Sequence, residues 1–142
     1  MLRSYSNIIR KLSSVLENKG DFGIRLKTAY DNKDTEALKK LLNECDIIIK
    51  KLEELKNAHR DSWFEYNKTF GWEVFDIRYG GLISRFHTVK KVLGDYIDGK
   101  TDRIEELEQD RLSLRPDNED DLVTTFRWGN YRTYSTVALI YE

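Results

Sequence analysis

The sequence contains few of the residues on which catalytic or metal sites are usually built. It has a single cysteine, Cys45, so no disulfide can form within the chain. The two histidines, His59 and His87, do not have the spacing of a metal site. Glycine-rich phosphate loops and recognisable Ser/His/Asp arrangements are also missing. We therefore expect no cofactor, no bound metal and no catalytic residue in this chain.

Neither charge nor hydrophobicity points to nucleic acid or to a membrane. The 24 basic and 25 acidic residues nearly cancel, so no strong field attracts nucleic acid or an anionic bilayer. Membrane-spanning helices need roughly 18 to 20 apolar residues in a row, and no run approaches that length. Met1 leads into a polar amphipathic segment without the pattern of a signal peptide, which favours a cytoplasmic location and leaves that of a longer protein open.

Helical periodicity runs through the first two-thirds of the chain. Apolar residues from Leu2 to Leu16 predict an amphipathic helix that Gly20 ends in a left-handed conformation. After a second, short helix, Asp34 is expected to cap the longest one. His59 continues its seam, where a hydrogen-bonded core histidine is the expected role. The seam itself repeats every seven residues: Leu38, Leu41, Cys45, Ile48, Leu52 and Leu55. Cys45 is accordingly predicted to be a buried small hydrophobe.

The following helix carries two apolar seams instead of one. The break at 67–71 predicts that helices over about 35–67 and 72–98 form an antiparallel hairpin. The first helix is then expected to cover both helices of this hairpin. The first seam is Phe75, Tyr79, Leu82, Phe86, Val89, Leu93 and Tyr96. The second seam, narrowing to small residues, is Phe70, Val74, Ile77, Gly81, Ser84 and Thr88. A helix apolar on two sides is expected to be buried on more than one side.

Adjacent glycines within this helix indicate a close neighbour. Each costs roughly 1 kcal/mol relative to alanine in a helix interior, so Gly80 and Gly81 argue for another body near the backbone. That body is either a third helix of the same domain or an external surface, and the residues leave both open. We predict a docking face formed by Val74, Ile77, Arg78, Gly80, Gly81, Ser84 and Arg85.

The last thirty residues have a different composition. A polar linker, 113–121, contains the only proline, Pro116. Segments 122–128 and 131–141 are rich in β-branched and aromatic residues, and the Gly129-Asn130 pair between them suits a two-residue turn. We predict a mainly α fold, a helical bundle with two long antiparallel helices plus a small C-terminal β-hairpin or strand. Residues 1–112 form the bundle and 113–142 the linker and β element, within one domain overall.

A long motif in the hairpin has a family resemblance. The run W-F-E-Y-N-K-T-F-G-W-E-V-F-D-I-R-Y-G-G-L-I-S-R, 63–85, closely resembles the C-terminal helical domain of family 20 glycoside hydrolases of the subgroup C type, bacterial β-N-acetylhexosaminidases. The likeness covers roughly 2–112 and, more loosely, the tail after Trp128. It implies a domain that follows a catalytic (β/α)8 barrel in a larger enzyme and packs against it. Those enzymes remove terminal N-acetylhexosamine with an adjacent Asp-Glu pair, which this chain lacks, so the resemblance implies a non-catalytic domain.

Two function classes remain open at this stage. The first is the supporting domain of a hexosaminidase, with the barrel of the same polypeptide as partner and a homodimer through the uncovered face as another arrangement. The second is an independent helical adaptor that binds a protein through the same face. Trp63, Trp72 and Trp128 offer aromatic surfaces to sugars, but the first two flank the hairpin bend, where we expect them to pack.

Overall fold

The chain folds around one central helix, α3. The computed structural model describes residues 2–109, with side chains from Tyr5 onward. Its elements are α1 (Leu2–Lys19), α2 (Phe22–Asp31), α3 (Thr35–Tyr66), α4 (Trp72–Ile97) and α5 (Glu105–Glu108). The predicted mainly α bundle with two long helices is confirmed. The predicted β element at 113–142 lies outside the described residues, and the division at 112 stays a prediction.

The seven-residue repeat of α3 forms the core, as predicted. Asp34 caps the helix, accepting a hydrogen bond from the Ala37 backbone N–H at 3.0 Å. Every residue of the repeat is buried, and Cys45 and Ile48 are among those with no exposed surface. Against them lie the α4 residues of the first seam, of which Phe86 and Leu93 are the most deeply buried.

The hairpin of α3 and α4 is antiparallel. After α3 ends, Gly71 adopts a φ of 95°, a left-handed conformation that favours glycine, and α4 begins at the next residue. Lys90 then pairs with Asp46 at 2.6 Å, while His59, further along α3, meets Tyr79, which lies earlier in α4. The observed bounds of α3 and α4 differ from the predicted 35–67 and 72–98 by at most one residue.

The first helix covers only one member of the hairpin, so that prediction was wrong. α1 packs along α3 and touches α2, while α4 packs on another flank of α3. Polar contacts explain why α1 packs on α3 alone. Lys11 of α1 pairs with Glu54 at 2.5 Å, and Lys51 of α3 donates to the Ser14 carbonyl and to the Asn18 side chain. These partners lie on a flank of α3 away from the seam, and they hold α1 there.

The junction between α1 and α2 also differs from expectation. Among the described residues only Gly71, Gly99 and Lys33 have positive φ, so Gly20 does not end α1 in a left-handed conformation. Its N–H instead keeps a helical bond to the Leu16 carbonyl at 2.8 Å, and the chain turns directly into α2. This short connection places Arg25 against Glu44 of α3, at 2.7 Å, and so fixes α2 beside the core.

Candidate docking surface

The predicted docking residues all lie on α4, and four of them form a single stripe. Val74, Ile77, Gly81 and Ser84 recur in steps of three and four, the spacing of one helical face. Val74 is 46% exposed and Ile77 64% exposed, while the first seam turns towards α3. The burial of α4 on more than one side, expected from its two seams, is therefore not found within residues 2–109. We call these four residues the α4 stripe.

Gly80 lies off this stripe. Successive residues of an α-helix are about 100° apart, so Gly80 and Gly81 face different directions. A Cβ built on either glycine would meet no heavy atom within 4 Å. No third helix among the described elements therefore fills the space beside them, which was one of the two alternatives. The backbone at Gly81 and Ser84 forms an open notch next to two large apolar side chains.

The two arginines of the predicted face have different surroundings. Arg85 forms an ion pair with Glu106 of α5, so its charge already has a partner within the domain. Arg78 is exposed and makes no hydrogen bond or ion pair with any of residues 5–109. The nearest acidic residues along the chain have other partners, because Glu73 accepts from the Gly71 N–H and Asp76 from the Trp72 indole. Arg78 thus adds an available positive charge to the apolar stripe.

Aromatic rings fill the hairpin bend, as predicted for two of the three tryptophans. Trp72 is 4% exposed, and its ring centroid lies 5.4 Å from that of Phe75 and 6.2 Å from that of Trp63. Both indole N–H groups are satisfied, Trp72 by Asp76 and Trp63 by the Lys68 carbonyl at 2.9 Å. Neither ring is held open for a sugar. Trp128 lies outside the described residues.

His59 has the environment of a core histidine, as predicted. Four aromatic rings surround it edge-to-face, with the Phe75 centroid at 4.6 Å, and its Nδ1 lies 3.1 Å from the Tyr79 hydroxyl. Burial lowers the pKa of His59 below its ordinary value of 6.5, because the charged imidazolium is poorly solvated there.

This shift predicts that the domain is less stable at mildly acidic pH. The unfolded chain binds a proton at His59 more readily than the folded chain does, so the free energy of unfolding should fall as the pH drops from 7.5 through 6.5 towards the folded-state pKa. Urea unfolding between pH 7.5 and 5.5 measures the slope. His59→Gln should flatten it, whereas the matched change His87→Gln, at an exposed α4 position, should not. An equal effect of both substitutions would contradict the assignment.

Other chemistry is absent from the described part of the chain. Within residues 2–109 no three His, Cys, Asp or Glu side chains are grouped as metal ligands would be. Cys45 is fully buried, and burial raises the pKa of its thiol to about 11, far from that of a reactive thiolate. Helices long and apolar enough to cross a membrane do not occur between residues 2 and 109.

Comparison with known protein families matches residues 2–126 to the Glycoside Hydrolase 20C C-terminal domain. The chain belongs to this family. The resemblance inferred from the 63–85 motif is thus confirmed, and the match extends well beyond that motif on both sides. No curated protein gives a significant match. As its name states, this family is the C-terminal domain of 20C glycoside hydrolases, and the α4 stripe lies on a domain of that kind.

Sequence reasoning missed a second exposed apolar surface on this 20C C-terminal domain. Tyr5, Ile9, Leu12 and Leu16 of α1 are each between 44% and 64% exposed. The helical pattern groups them with Ile8 and Val15 as the apolar residues of one amphipathic helix, although only Val15 is fully buried. The signal was present, since residues 5, 9, 12 and 16 form a stripe of their own at steps of four, three and four. We call them the α1 stripe.

Proposed function

We propose that this chain is the non-catalytic supporting domain of a β-N-acetylhexosaminidase and that the α4 stripe docks on the catalytic barrel. The observation that carries the proposal is an exposed apolar stripe, ending in an open glycine notch, within a domain whose family is defined as part of a larger hydrolase. Contiguous exposed apolar surface marks interaction sites, and Val74 and Ile77 are adjacent on one helical face.

The barrel is the preferred occupant because it is covalently linked. A tethered partner meets the stripe at an effective concentration far above that of a free protein, so even a modest interface would be occupied. The chemistry of the stripe specifies the complementary surface. Val74 and Ile77 call for apolar side chains, the notch at Gly81 and Ser84 admits a helix or loop backbone closely, and Arg78 calls for a carboxylate.

Catalysis is assigned to the barrel because this chain lacks the Asp-Glu pair that supplies the general acid in family 20 enzymes. Protonation of the leaving group requires a positioned carboxylic acid, and family 20 enzymes take it from an adjacent Asp-Glu pair. That dipeptide occurs nowhere in the 142 residues. The contribution of this chain would be positional, since it would hold one side of the barrel by burying the α4 stripe.

Replacing Gly81 by leucine tests the docking role. In the isolated domain a Cβ at this position would meet none of the described residues within 4 Å, and leucine replaces a poor helix former, so stability should stay equal or rise by up to roughly 1 kcal/mol. In the full-length enzyme the same side chain would overpack the interface and lower stability by about 1–3 kcal/mol, with a loss of activity. Thermal unfolding of both proteins and hydrolysis of an aryl N-acetylglucosaminide by the enzyme measure these effects.

Gly94→Leu is the matched control. Gly94 is also on α4 and also has nothing within 4 Å, but it lies towards the other end of the helix, so it should gain helix propensity in both proteins without disturbing the enzyme. If both variants affected the full-length enzyme equally, Gly81 would not lie in a docking interface.

If no barrel is encoded before Met1, the alternative of an independent adaptor using the same stripe takes its place. A concentration-dependent dimer that Gly81→Leu disrupts would instead assign the stripe to a second copy.

A further inference from the structure

The α1 stripe is an exposed apolar surface that the proposed docking through α4 leaves unexplained. On α1, Ile8 and Val15 face the core, and Lys11 reaches Glu54 on one side of them. Successive residues of a helix are about 100° apart, so Leu12 and the rest of the stripe lie on the other side. A helix with a second apolar face of this kind is expected to pack against a further element.

Ring stacking places this side of α1 next to the seam of α3. Tyr5 stacks on Tyr66, with the centroids 6.1 Å apart and the planes 12° from parallel. Tyr66 comes seven residues after His59 in the repeat of α3, and His59 contacts Phe75 and Tyr79 of α4. The α1 stripe therefore borders a groove that has the α3 seam as its floor and α4 as its other wall.

The α4 stripe lies on the flank of the hairpin that α1 occupies. Asp46 and Glu44 are about 160° apart round α3, so they mark its two flanks. Lys90 of α4 pairs with Asp46 at 2.6 Å, whereas Asn18 of α1 donates to Glu44 at 2.7 Å. The α4 stripe is about 120° to 180° round α4 from Lys90, which turns it towards the α1 flank. The two stripes are therefore the two rims of one groove.

This groove holds a helix at one end only. In the half away from the bend, α2 lies over the seam, with Phe22 packed edge-on against Phe86 at 5.5 Å and Leu26 buried beside it. In the half near the bend, no helix among residues 2–109 takes the place of α2. The α4 seam residues of that half are accordingly only half-buried: Phe75, Tyr79 and Leu82.

Under the proposed function, the catalytic barrel joins the domain beside this uncovered half. The family is a C-terminal domain and its match begins at residue 2, so the catalytic part of such an enzyme comes before α1. Tyr5, in the first turn of α1, lies against Tyr66, the last residue of α3 before the bend. A (β/α)8 barrel carries its helices on the outside, so a helix is the element that it presents to a neighbour.

We propose that an outer helix of the catalytic barrel lies in the groove near the hairpin bend, between the α1 stripe and the α4 stripe. This inference rests on the proposed function and extends the docking surface from α4 to α1. The helix would complete a four-helix packing that α1, α3 and α4 leave open at this end. A second copy of the chain would have to reach the groove from free solution, whereas the barrel is tethered beside it.

Arg78 adds one requirement to the chemistry of this helix. It lies one helical turn from Val74 of the α4 stripe and one turn from Leu82 of the first seam, so its charge stands at the rim of the groove. It makes no hydrogen bond or ion pair with any of residues 5–109. The occupying helix should therefore be apolar along the face that enters the groove and carry a carboxylate at its border with Arg78.

Thiol labelling of the full-length enzyme and of the isolated 142-residue chain tests this placement. Leu12→Cys and Ile9→Cys report on the α1 stripe and Ile77→Cys on the α4 stripe, while Ile24→Cys on α2, at a 60% exposed position, is the matched control. The native Cys45 is fully buried and labels slowly. Mass spectrometry of the peptides gives the maleimide labelling rate at each site, whatever other cysteines the enzyme contains.

We expect both α1 reporters and Ile77→Cys to be labelled about tenfold more slowly in the enzyme than in the isolated chain, because reaction in the enzyme requires local opening of the interface. Ile24→Cys should be labelled at the same rate in both proteins. Circular dichroism of each variant shows that the helices remain folded.

The two rims separate this inference from the proposed function. Protection of Ile77→Cys without the α1 reporters would overturn the inference and leave docking through α4 intact. Unchanged rates at both rims would overturn both proposals, and so would protection of the α1 reporters alone. Slow labelling of Leu12→Cys already in the isolated chain would also overturn the inference, since the groove would then be filled by this chain or, if dilution restored the rate, by a second copy.

Discussion

Replacing Ile48 by alanine is expected to lower the free energy of unfolding by about 2–5 kcal/mol, whereas the same change at Ile47 should cost less than about 1 kcal/mol. The two isoleucines are neighbours on α3 and lose identical atoms. Ile48 has no exposed surface, while Ile47 is 49% exposed. The difference between the variants therefore isolates the burial of the seam from the effect of alanine on helix propensity.

Urea unfolding followed by circular dichroism at 222 nm measures both variants. Equal slopes with urea concentration would show that the denatured states are comparable, so the shift in midpoint gives the stability difference directly. If Ile47→Ala were as costly as Ile48→Ala, α3 would be buried on a face that packs on neither α1, α2 nor α4, and the described arrangement of the helices would be wrong.

The seven-residue repeat made this part of the fold predictable. A pattern that places one residue in every three or four on the same side defines which face is buried before any partner is known. It separates Ile48 from Ile47 in the sequence alone. Asp34 and the break at 67–71 then located the start and end of α3 and the start of α4 to within a residue. Gly99 has a φ of 70°, the left-handed conformation expected where α4 ends.

The position of α1 was not predictable in the same way. Its apolar pattern says that the helix packs somewhere, but the flank of α3 it occupies is set by long-range polar contacts such as Lys11 with Glu54 and Lys51 with Asn18. Such partners are more than thirty residues apart in sequence, and charged residues are too common in this chain to be paired by inspection. The α1 stripe went unnoticed because α1 was placed over both long helices.

The docking face was partly predictable. Spacing located the α4 stripe. The glycines predicted a body close to the helix backbone, and because none of the described residues lies within 4 Å of a Cβ built at Gly80 or Gly81, that body stays a prediction. Sequence alone could not distinguish Arg78 from Arg85. The pairing of Arg85 with Glu106 depends on how α5 returns to α4, which depends in turn on Tyr30 and Ile104.

Replacing Trp72 by alanine is expected to destabilise the domain by about 3–5 kcal/mol, the range for a large buried aromatic residue. Its ring contacts those of His59, Trp63, Phe64 and Phe75, with the nearest centroid at 5.1 Å, and its N–H is bonded to Asp76 at 3.0 Å. Removing it would leave a cavity at the bend. A tryptophan kept for sugar stacking would instead be exposed, and its loss would abolish binding with little effect on stability.

Phe70→Ala provides the comparison, because Phe70 lies two residues earlier and is 84% exposed. Its loss should change the stability of the isolated domain by less than about 0.5 kcal/mol. Trp72→Phe should fall between the two, because the smaller ring retains part of the apolar contact but leaves some space unfilled and loses the bond to Asp76. Chemical unfolding and titration with N-acetylglucosamine should be performed on all three variants. The ring would serve sugar recognition if the parent protein bound the sugar saturably and Trp72→Ala abolished that binding without changing stability. The close packing around Trp72 predicts the opposite result, which is a large loss of stability in a protein whose parent binds no sugar.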